Sequence, residues 1–162
     1  MKTDAMKGSI TEKKIGYLAA VMFLEEDDDL ILLLINTILR DLKSNDLLET
    51  NMALVTAAYL VPKEMSGMIL PILIEKTSHS KDFIRKKALI CLEQIAMKNP
   101  DFLDPVVETA VDKLSDKDPG VAIVAIQGTY YRFEMSPNYN YHLQPHFGYL
   151  FTYILYRIFK KG

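Results

Sequence analysis

The 162-residue chain has no tryptophan, only one cysteine and only three histidines. The single thiol, Cys91, excludes an internal disulfide bond and fits a reducing compartment. Net charge is −2, so the strongly basic footprint of a nucleic-acid-binding protein is missing. The longest strictly apolar runs, residues 19–24 and 30–35, are far shorter than the roughly 20 residues a membrane-spanning helix needs. The first ten residues have no apolar signal-peptide core, and together these absences predict a soluble intracellular protein.

Motifs for catalysis and metal binding are also missing. The sequence has no glycine-rich phosphate loop, no GxSxG segment and no paired carboxylates beside a base. The acidic run at residues 25–29 lacks the glycine and closing glutamate of a calcium loop, which favours simple solvation of helix ends. His142 and His146 are four residues apart, but Pro145 breaks the helix that would align them as metal ligands. We therefore expect no cofactor, no metal and no enzymatic activity.

Helical signals dominate from Ser9 to about Gly128. Residues 9–12 (SITE) fit a capping box, in which the serine and the glutamate satisfy each other's free backbone N–H groups. Apolar residues then recur with the i, i+3, i+4, i+7 pattern of amphipathic helices, and no alternating strand pattern interrupts them. Seven helices are predicted, the first carrying Ile15, Leu18, Ala19, Met22 and Phe23 on one face. Residues typical of turns and caps separate the helices, and Asp82 is predicted to cap the fifth helix. The other separators are residues 44–46, Pro62, residues 78–80, Asn99–Pro100 and Asp118–Pro119.

The predicted helices repeat at a regular interval. Every second helix carries a small residue, preceded four positions earlier by an apolar one in all but the third helix. These pairs are Ile15/Ala19, Glu49/Ala53, Ile84/Ala88 and Val121/Ala125, and their alanines are 34, 35 and 37 residues apart. Two helices per unit at such a period are typical of stacked helical repeats, which bind other proteins along long exposed surfaces. The sequence predicts an all-α fold, an α-solenoid of antiparallel helix pairs. Cys91 falls on a buried stripe and is expected to act as a small hydrophobe.

Composition divides the chain into three segments. Residues 1–128 form the predicted helical-repeat trunk, residues 129–148 a linker or turn, and residues 149–162 an apolar-aromatic tail. Seven of the nine tyrosines follow Gly128. The tail is too apolar to be left in water, so we expect it to be helical and to fold back over the last exposed repeat.

Six short segments carry a family resemblance in their order and spacing between residues 10 and 127. They are residues 10–18 (ITEKKIGYL), 26–30 (EDDDL), 35–37 (INT), 41–44 (DLKS), 84–88 (IRKKA) and 116–121 (DKDPGV). In these segments the chain resembles the large adaptin subunits of adaptor-protein coat complexes, most of all the epsilon subunit of the fourth complex, with gamma adaptin next. The resemblance implies an N-terminal trunk fragment with a HEAT- or armadillo-like solenoid.

The same resemblance implies a function. Adaptins assemble with a second large, a medium and a small chain, so it implies a non-enzymatic subunit of a vesicle-coat adaptor complex in intracellular protein transport. It also implies an Arf-type small GTPase as a recruiting partner, and a cytoplasmic, peripheral location on Golgi, trans-Golgi or endosomal membranes. The alternative is a generic helical-repeat interaction scaffold unrelated to coats.

Basic residues near the predicted helix starts are the candidate contact sites. The functional interpretation is that they bind an acidic partner face or anionic lipid. The alternative is a solvated repeat surface, with the long side-chain stems lying over apolar neighbours. The candidates are Lys13, Lys14, Lys81, Arg85, Lys86 and Lys87.

Overall fold

The computed structural model describes residues 10–25 and 29–135, with side chains as far as Gly128. All regular structure in these ranges is helical, which confirms the predicted fold of seven helices without strands. Single-turn 3₁₀ helices at Lys63–Met65 and Pro100–Phe102 lead into the fourth and sixth helices. The helices are α1 (Ile10–Phe23), α2 (Asp29–Leu42), α3 (Leu47–Leu60), α4 (Ser66–Lys76), α5 (Asp82–Lys98), α6 (Leu103–Lys113) and α7 (Pro119–Met135).

Side-chain caps set two of the helix starts as predicted. The Asp46 carboxylate accepts hydrogen bonds from the backbone N–H groups of Leu48 and Glu49, at 2.8 and 3.3 Å, and so begins α3. At the start of α7, the Asp118 carboxylate accepts from the N–H of Val121 at 3.1 Å. These aspartates satisfy backbone donors that have no partner inside the helix.

The start of α5 differs from the prediction. Asp82 is the first residue of the helix, and Lys81 holds the cap position without a side-chain cap bond. The prediction of Asp82 as the cap is therefore wrong by one residue. His79 explains the shift, because its Nδ1 accepts from the Lys81 N–H at 3.1 Å and closes the turn one residue earlier. The predicted capping box at Ser9 lies outside the described residues.

The helices form pairs in two layers. Connections of four or five residues join successive helices, and such short connections reverse the chain direction. Helices α2, α4 and α6 each pack on the helix that follows them, giving the pairs α2/α3, α4/α5 and α6/α7. Helices α1, α3, α5 and α7 pack side by side, and the contact between α3 and α5 is the most extensive. In this arrangement α1 has the place of the second helix of a pair.

One apolar core runs through the middle of the solenoid. It combines fully buried side chains from α2 to α5 with buried residues at the start of α6. Cys91 lies inside this core as a small hydrophobe, as predicted, and burial raises the pKa of its thiol to about 12. The largest of these fully buried side chains are Ile38, Leu42, Leu54, Ile69, Leu73, Ile84, Leu92 and Ile95.

The small residue of the repeat is buried in the three later second helices. Ala53, Ala88 and Ala125 are all fully buried. In α7, Ala125 and Val121 pack with Leu89 of α5 and with residues of α6, so this face points back toward the preceding helices. The repeat position therefore lies on the face by which α3, α5 and α7 each pack on the helices that precede them in the chain.

In α1 the same face, which carries the apolar residues predicted for one side of the helix, is exposed among the described residues. Ile15, Met22 and Phe23 are 62, 64 and 76% exposed, and Leu18 and Ala19 are exposed too. The residues of α1 that are buried lie on another face and are Tyr17 and Ala20. The exposed stripe corresponds to the backward-facing side of the later helices, and among the described residues no helix precedes α1 to cover it.

The seventh helix extends past the predicted end of the trunk. It continues to Met135, so the segment expected to be a linker from residue 129 begins in helix. At Gly128 the side chain of Glu93 from α5 occupies the space that a Cβ would take, so glycine permits this close helix contact. Residues 136–162, with His142, His146 and the tail, lie outside the described residues, and the rest of the linker and the helical tail stay predictions.

Candidate partner-binding surface

The candidate basic residues belong to one edge of the solenoid. Because successive helices alternate in direction, the starts of α1, α3, α5 and α7 lie at the same edge, together with the turns at residues 43–46, 77–81 and 114–118. We call these turns and the first two turns of the four helices the basic edge. The turns at residues 61–65 and 99–102 lie at the opposite edge.

Lys13 is partly buried in an ion-pair cluster at the basic edge. Its Nζ lies 2.7 Å from Glu49 Oε1 and 3.1 Å from Asp41 Oδ1, and its side chain is only 14% exposed. The Tyr17 hydroxyl donates to the same Asp41 carboxylate at 2.9 Å. Burial alone would lower the pKa of Lys13, but the hydrogen bonds to Glu49 and Asp41 outweigh it and raise the pKa. Lys13 thus links α1 to α2 and α3, and its contact with a partner stays a prediction.

Arg85 joins two successive repeats. Its Nε and Nη2 donate to the two carboxylate oxygens of Asp116 at 2.9 and 2.8 Å, and its Nη1 donates to the carbonyls of His79 and Ser80. The arginine and aspartate side chains are 4 and 9% exposed. Burial would raise the pKa of Asp116, but the hydrogen bonds from Arg85 outweigh it and lower the pKa. Arg85 thus makes a structural contact between repeats, and its contact with a partner or lipid stays a prediction.

The other four candidates remain on the surface of the basic edge. Lys86 bridges Asp82 and Asp118, at 3.1 Å to each, and its side chain is 31% exposed. Its Nζ would lie 2.7 Å from a Cβ built on Gly120, so the glycine leaves room for this bridge. The three residues exposed to a greater degree are Lys14, Lys81 and Lys87.

Sequence reasoning missed further basic residues at this edge. Lys43 and Lys117 are exposed in turns equivalent to the turn that contains Lys81. Lys43 lies 38 residues before Lys81, and Lys117 lies 36 residues after it. That spacing matches the helical repeat and is the signal that could have revealed them. Next to Lys43 is a depression of about 330 Å³ whose lining residues are Lys13, Arg40, Asp41, Lys43, Ser44, Asn45 and Glu49.

The described part of the chain offers little else for ligand chemistry. Across residues 10–25 and 29–135, no group of three histidine, cysteine or acidic side chains is placed to hold a metal ion. The same ranges contain no helix with the length and apolarity needed to traverse a lipid bilayer. What the arrangement can do is present a mixed-charge edge, rich in lysine, to another macromolecule.

The comparison with known families decides what this solenoid is. The model of the adaptin N terminal region matches residues 6–149, most of the chain. This chain belongs to the adaptin family. The resemblance predicted from six short segments is thereby confirmed, and the alternative of a scaffold unrelated to coats is not supported. The matched region of this adaptin continues past Gly128 as far as residue 149.

Several large adaptor subunits are similar to this adaptin. It is 37% identical over 122 residues to the AP-4 complex subunit epsilon-1 of Mus musculus, covering 75% of this chain and 11% of that protein. It is 39% identical over 109 residues to the AP-4 complex subunit epsilon of Arabidopsis thaliana, covering 67% and 12%. The AP-3 complex subunit delta-1 of Bos taurus is 35% identical over 116 residues, covering 72% and 10%. The adaptin chain thus spans about a tenth of the length of these curated relatives.

Proposed function

We propose that this adaptin supplies part of the early trunk of a large subunit in a vesicle-coat adaptor complex. In that role it binds other subunits of the complex and catalyses no reaction. The match of residues 6–149 to the adaptin N terminal region carries the proposal. The relatives named as AP-4 and AP-3 subunits support it. A solenoid of stacked helix pairs suits this role, because it offers an extended surface without a central cavity.

The basic edge is the proposed contact surface for a partner subunit or an anionic lipid. Lys14, Lys81 and Lys87 are exposed there, and Lys43 and Lys117 add charge at the repeat spacing. Exposed charge of this kind acts mainly on the rate of encounter and on salt sensitivity, and less on the final affinity. We expect the contact to be weak, because a short solenoid offers only part of the surface of a full trunk.

Recruitment to membranes is the second part of the proposal. An Arf-type small GTPase would bring the adaptin to Golgi, trans-Golgi or endosomal membranes, where it would sit peripherally with a second large, a medium and a small chain. The support is family membership together with an exposed, lysine-rich edge. No cofactor is required for this role.

Co-expression tests the subunit contact. The chain is expressed with second-large and small AP-4 subunits and passed over a gel-filtration column at two salt concentrations. We expect co-elution that weakens with salt, and a further loss with Lys14→Glu, Lys81→Glu or Lys87→Glu. Lys63→Glu is the matched control, because Lys63 is also exposed but lies at the opposite edge.

The GTPase contact needs a separate measurement. Binding of the chain to an Arf-type GTPase is compared in the GTP-loaded and GDP-loaded states, and we expect retention only with GTP. The proposed function is wrong if the folded chain elutes separately from every coat subunit tested and binds neither state of the GTPase. The assignment of the fold would be unaffected.

A further inference from the structure

The third helix turns an apolar face to solvent. Four of its residues, spaced three and four positions apart, lie on one side of the helix and form what we call the α3 stripe: Leu48, Met52, Val55 and Tyr59. Leu48 and Tyr59 are 56 and 60% exposed, whereas Met52 and Val55 are partly buried. Because α1 and α5 flank α3 and α2 packs beneath it, the α3 stripe occupies the side of the helix that is left to solvent.

The next helix of the same layer carries an equivalent face. An offset of 35 residues, the spacing of Ala53 and Ala88, takes the α3 stripe onto α5. The equivalent residues, together with Met97, form what we call the α5 stripe: Phe83, Lys87, Ile90, Gln94 and Met97. Phe83, Ile90 and Met97 are 38, 36 and 61% exposed. Since α3 and α5 run in the same direction and pack side by side, the two stripes form parallel ridges with a groove between them.

Helix α6, in the other layer, shows the contrast with an ordinary solvent face. Its exposed residues Asp104, Glu108 and Asp112 follow one another at four-residue intervals, as is typical of the polar side of an amphipathic helix. The α3 stripe contains no charged residue, and the α5 stripe contains only Lys87. Both α3 and α5 have neighbours of their own layer on each side, so their exposure is not that of terminal helices. Adjoining exposed apolar faces of this kind mark an interaction site.

Positive charge gathers at one end of the two stripes. Lys43 and Lys81 are exposed in the turns before α3 and α5, and Lys87 is exposed near the start of the α5 stripe. The aspartates at this end are already engaged, since Asp46 caps α3 and Asp82 forms an ion pair on α5. An occupant of the groove therefore meets apolar side chains along the stripes and lysine side chains where the stripes begin.

We propose that the groove between the α3 stripe and the α5 stripe binds an amphipathic helix of another protein subunit. Its apolar face would lie on the stripes, and acidic residues at one of its ends would lie near Lys43, Lys81 and Lys87. This inference rests on the proposed function, because it names the chemistry of a subunit that the adaptin binds. At about 1.5 Å per residue, residues 48–59 extend over about 16 Å, which accommodates about three turns of a bound helix.

A lipid surface matches the same features less closely. Segments that lie on membranes carry basic residues along the whole polar side of an apolar face. Here the lysines are grouped at one end of the stripes, and the far end has the exposed Tyr59 and Met97. This distribution complements a helix whose acidic residues are grouped at one end.

Peptide binding to the whole chain tests the groove. The probe is a fluorescein-labelled peptide of about 18 residues, long enough to form helix in water, with leucines on one face and glutamates at one end. One control peptide has lysines in place of the glutamates, and another has the leucines scrambled so that they no longer share a face. Fluorescence anisotropy measures binding, and we expect the glutamate peptide to bind at least several-fold more tightly than either control.

Matched variants locate the binding. Tyr59→Ser should weaken binding of the glutamate peptide several-fold, whereas Met68→Ser should not, because Met68 is similarly exposed but belongs to α4 in the other layer. Lys87→Glu should reverse the preference between the glutamate and lysine peptides. Lys63→Glu, at the opposite edge, should leave that preference unchanged. All four positions are exposed, so the variants should fold, and circular dichroism checks that they do.

The outcomes separate this inference from the adaptor role. Equal binding of the three peptides, no binding of any of them, or an equal loss in Tyr59→Ser and Met68→Ser overturns the proposal. Binding to anionic phospholipid vesicles that is lost in Tyr59→Ser, without peptide binding, overturns it in favour of lipid. If the groove fails these tests while the chain still co-elutes with AP-4 subunits, the proposed function stands without it. Peptide binding with the expected variant effects, but without co-elution, supports the groove and contradicts the adaptor role.

Discussion

Lys13 Nζ lies 2.7 Å from Glu49 Oε1. Glu49 holds the repeat position in α3 that Ile84 holds in α5 and Val121 in α7. At this position α1 and α3 are joined by an ion pair, whereas the equivalent positions in α5 and α7 are apolar and fully buried. Asp41 completes the cluster from α2. This cluster helps to hold α1 in place, together with the buried contacts of Tyr17 and Ala20.

Removing the cation should destabilise the attachment of α1. In Lys13→Met, Asp41 and Glu49 would remain with side chains only 1 and 15% exposed. We expect the free energy of unfolding to fall by about 2–3 kcal/mol, less than for a fully buried ion pair, because the site is partly open and Arg40 Nε remains 3.1 Å from Asp41 Oδ1. Urea denaturation measures the loss. Lys14→Met is the control, since Lys14 is exposed, and a loss of equal size there would contradict the role given to Lys13.

A charge at the buried repeat position should unfold the chain. Ala88 is fully buried in the main core, so Ala88→Glu would place an unpaired carboxylate inside it. We expect a loss of about 4 kcal/mol or more, enough to abolish cooperative thermal unfolding followed by circular dichroism. Lys87→Glu changes the exposed neighbouring residue and should leave the transition in place. An unchanged melting temperature in Ala88→Glu would refute the repeat register.

The link between Arg85 and Asp116 should make stability depend on acid pH. The folded-state pKa of Asp116 is lowered from 3.8, so its stabilising effect is present above about pH 4 and is lost as pH falls through the lowered pKa. Asp116→Asn should cost about 3 kcal/mol at neutral pH and should flatten the decline of stability below pH 4. Urea denaturation at several pH values tests this. Asp112→Asn, at an exposed position, should keep the wild-type pH profile.

Two helical glycines should respond oppositely to alanine. At Gly128 the added methyl group would collide with the side chain of Glu93, so Gly128→Ala should cost about 1–2 kcal/mol. At Gly16 no atom lies within 4 Å of the added methyl, and Gly16→Ala should stabilise α1 by up to about 1 kcal/mol through helix propensity. Chemical denaturation of both variants measures the difference. A stabilising Gly128→Ala would show that α5 and α7 are not in close contact there.

Local sequence patterns predicted the helices well because their signals are local. The caps at Asp46 and Asp118 and the stop at Asn99 depend on residues within one turn, and the structure confirms them. The apolar face of α1 was predicted, but its exposure was not, since the number of apolar residues on a face does not tell whether a neighbouring helix covers it. The roles of Lys13 and Arg85 were missed for the same reason. Their partners Glu49 and Asp116 are 36 and 31 residues away.

Most helices pack on the next helix in the chain or on the next but one, and this affects how the chain folds. Its dominant contacts join segments close in sequence, so folding can begin around α3 and α5 and spread outward without first closing a long loop. Among the described helices, α1 and α7 each have a neighbouring helix of their own layer on one side only, so under force we expect them to detach before α3 and α5.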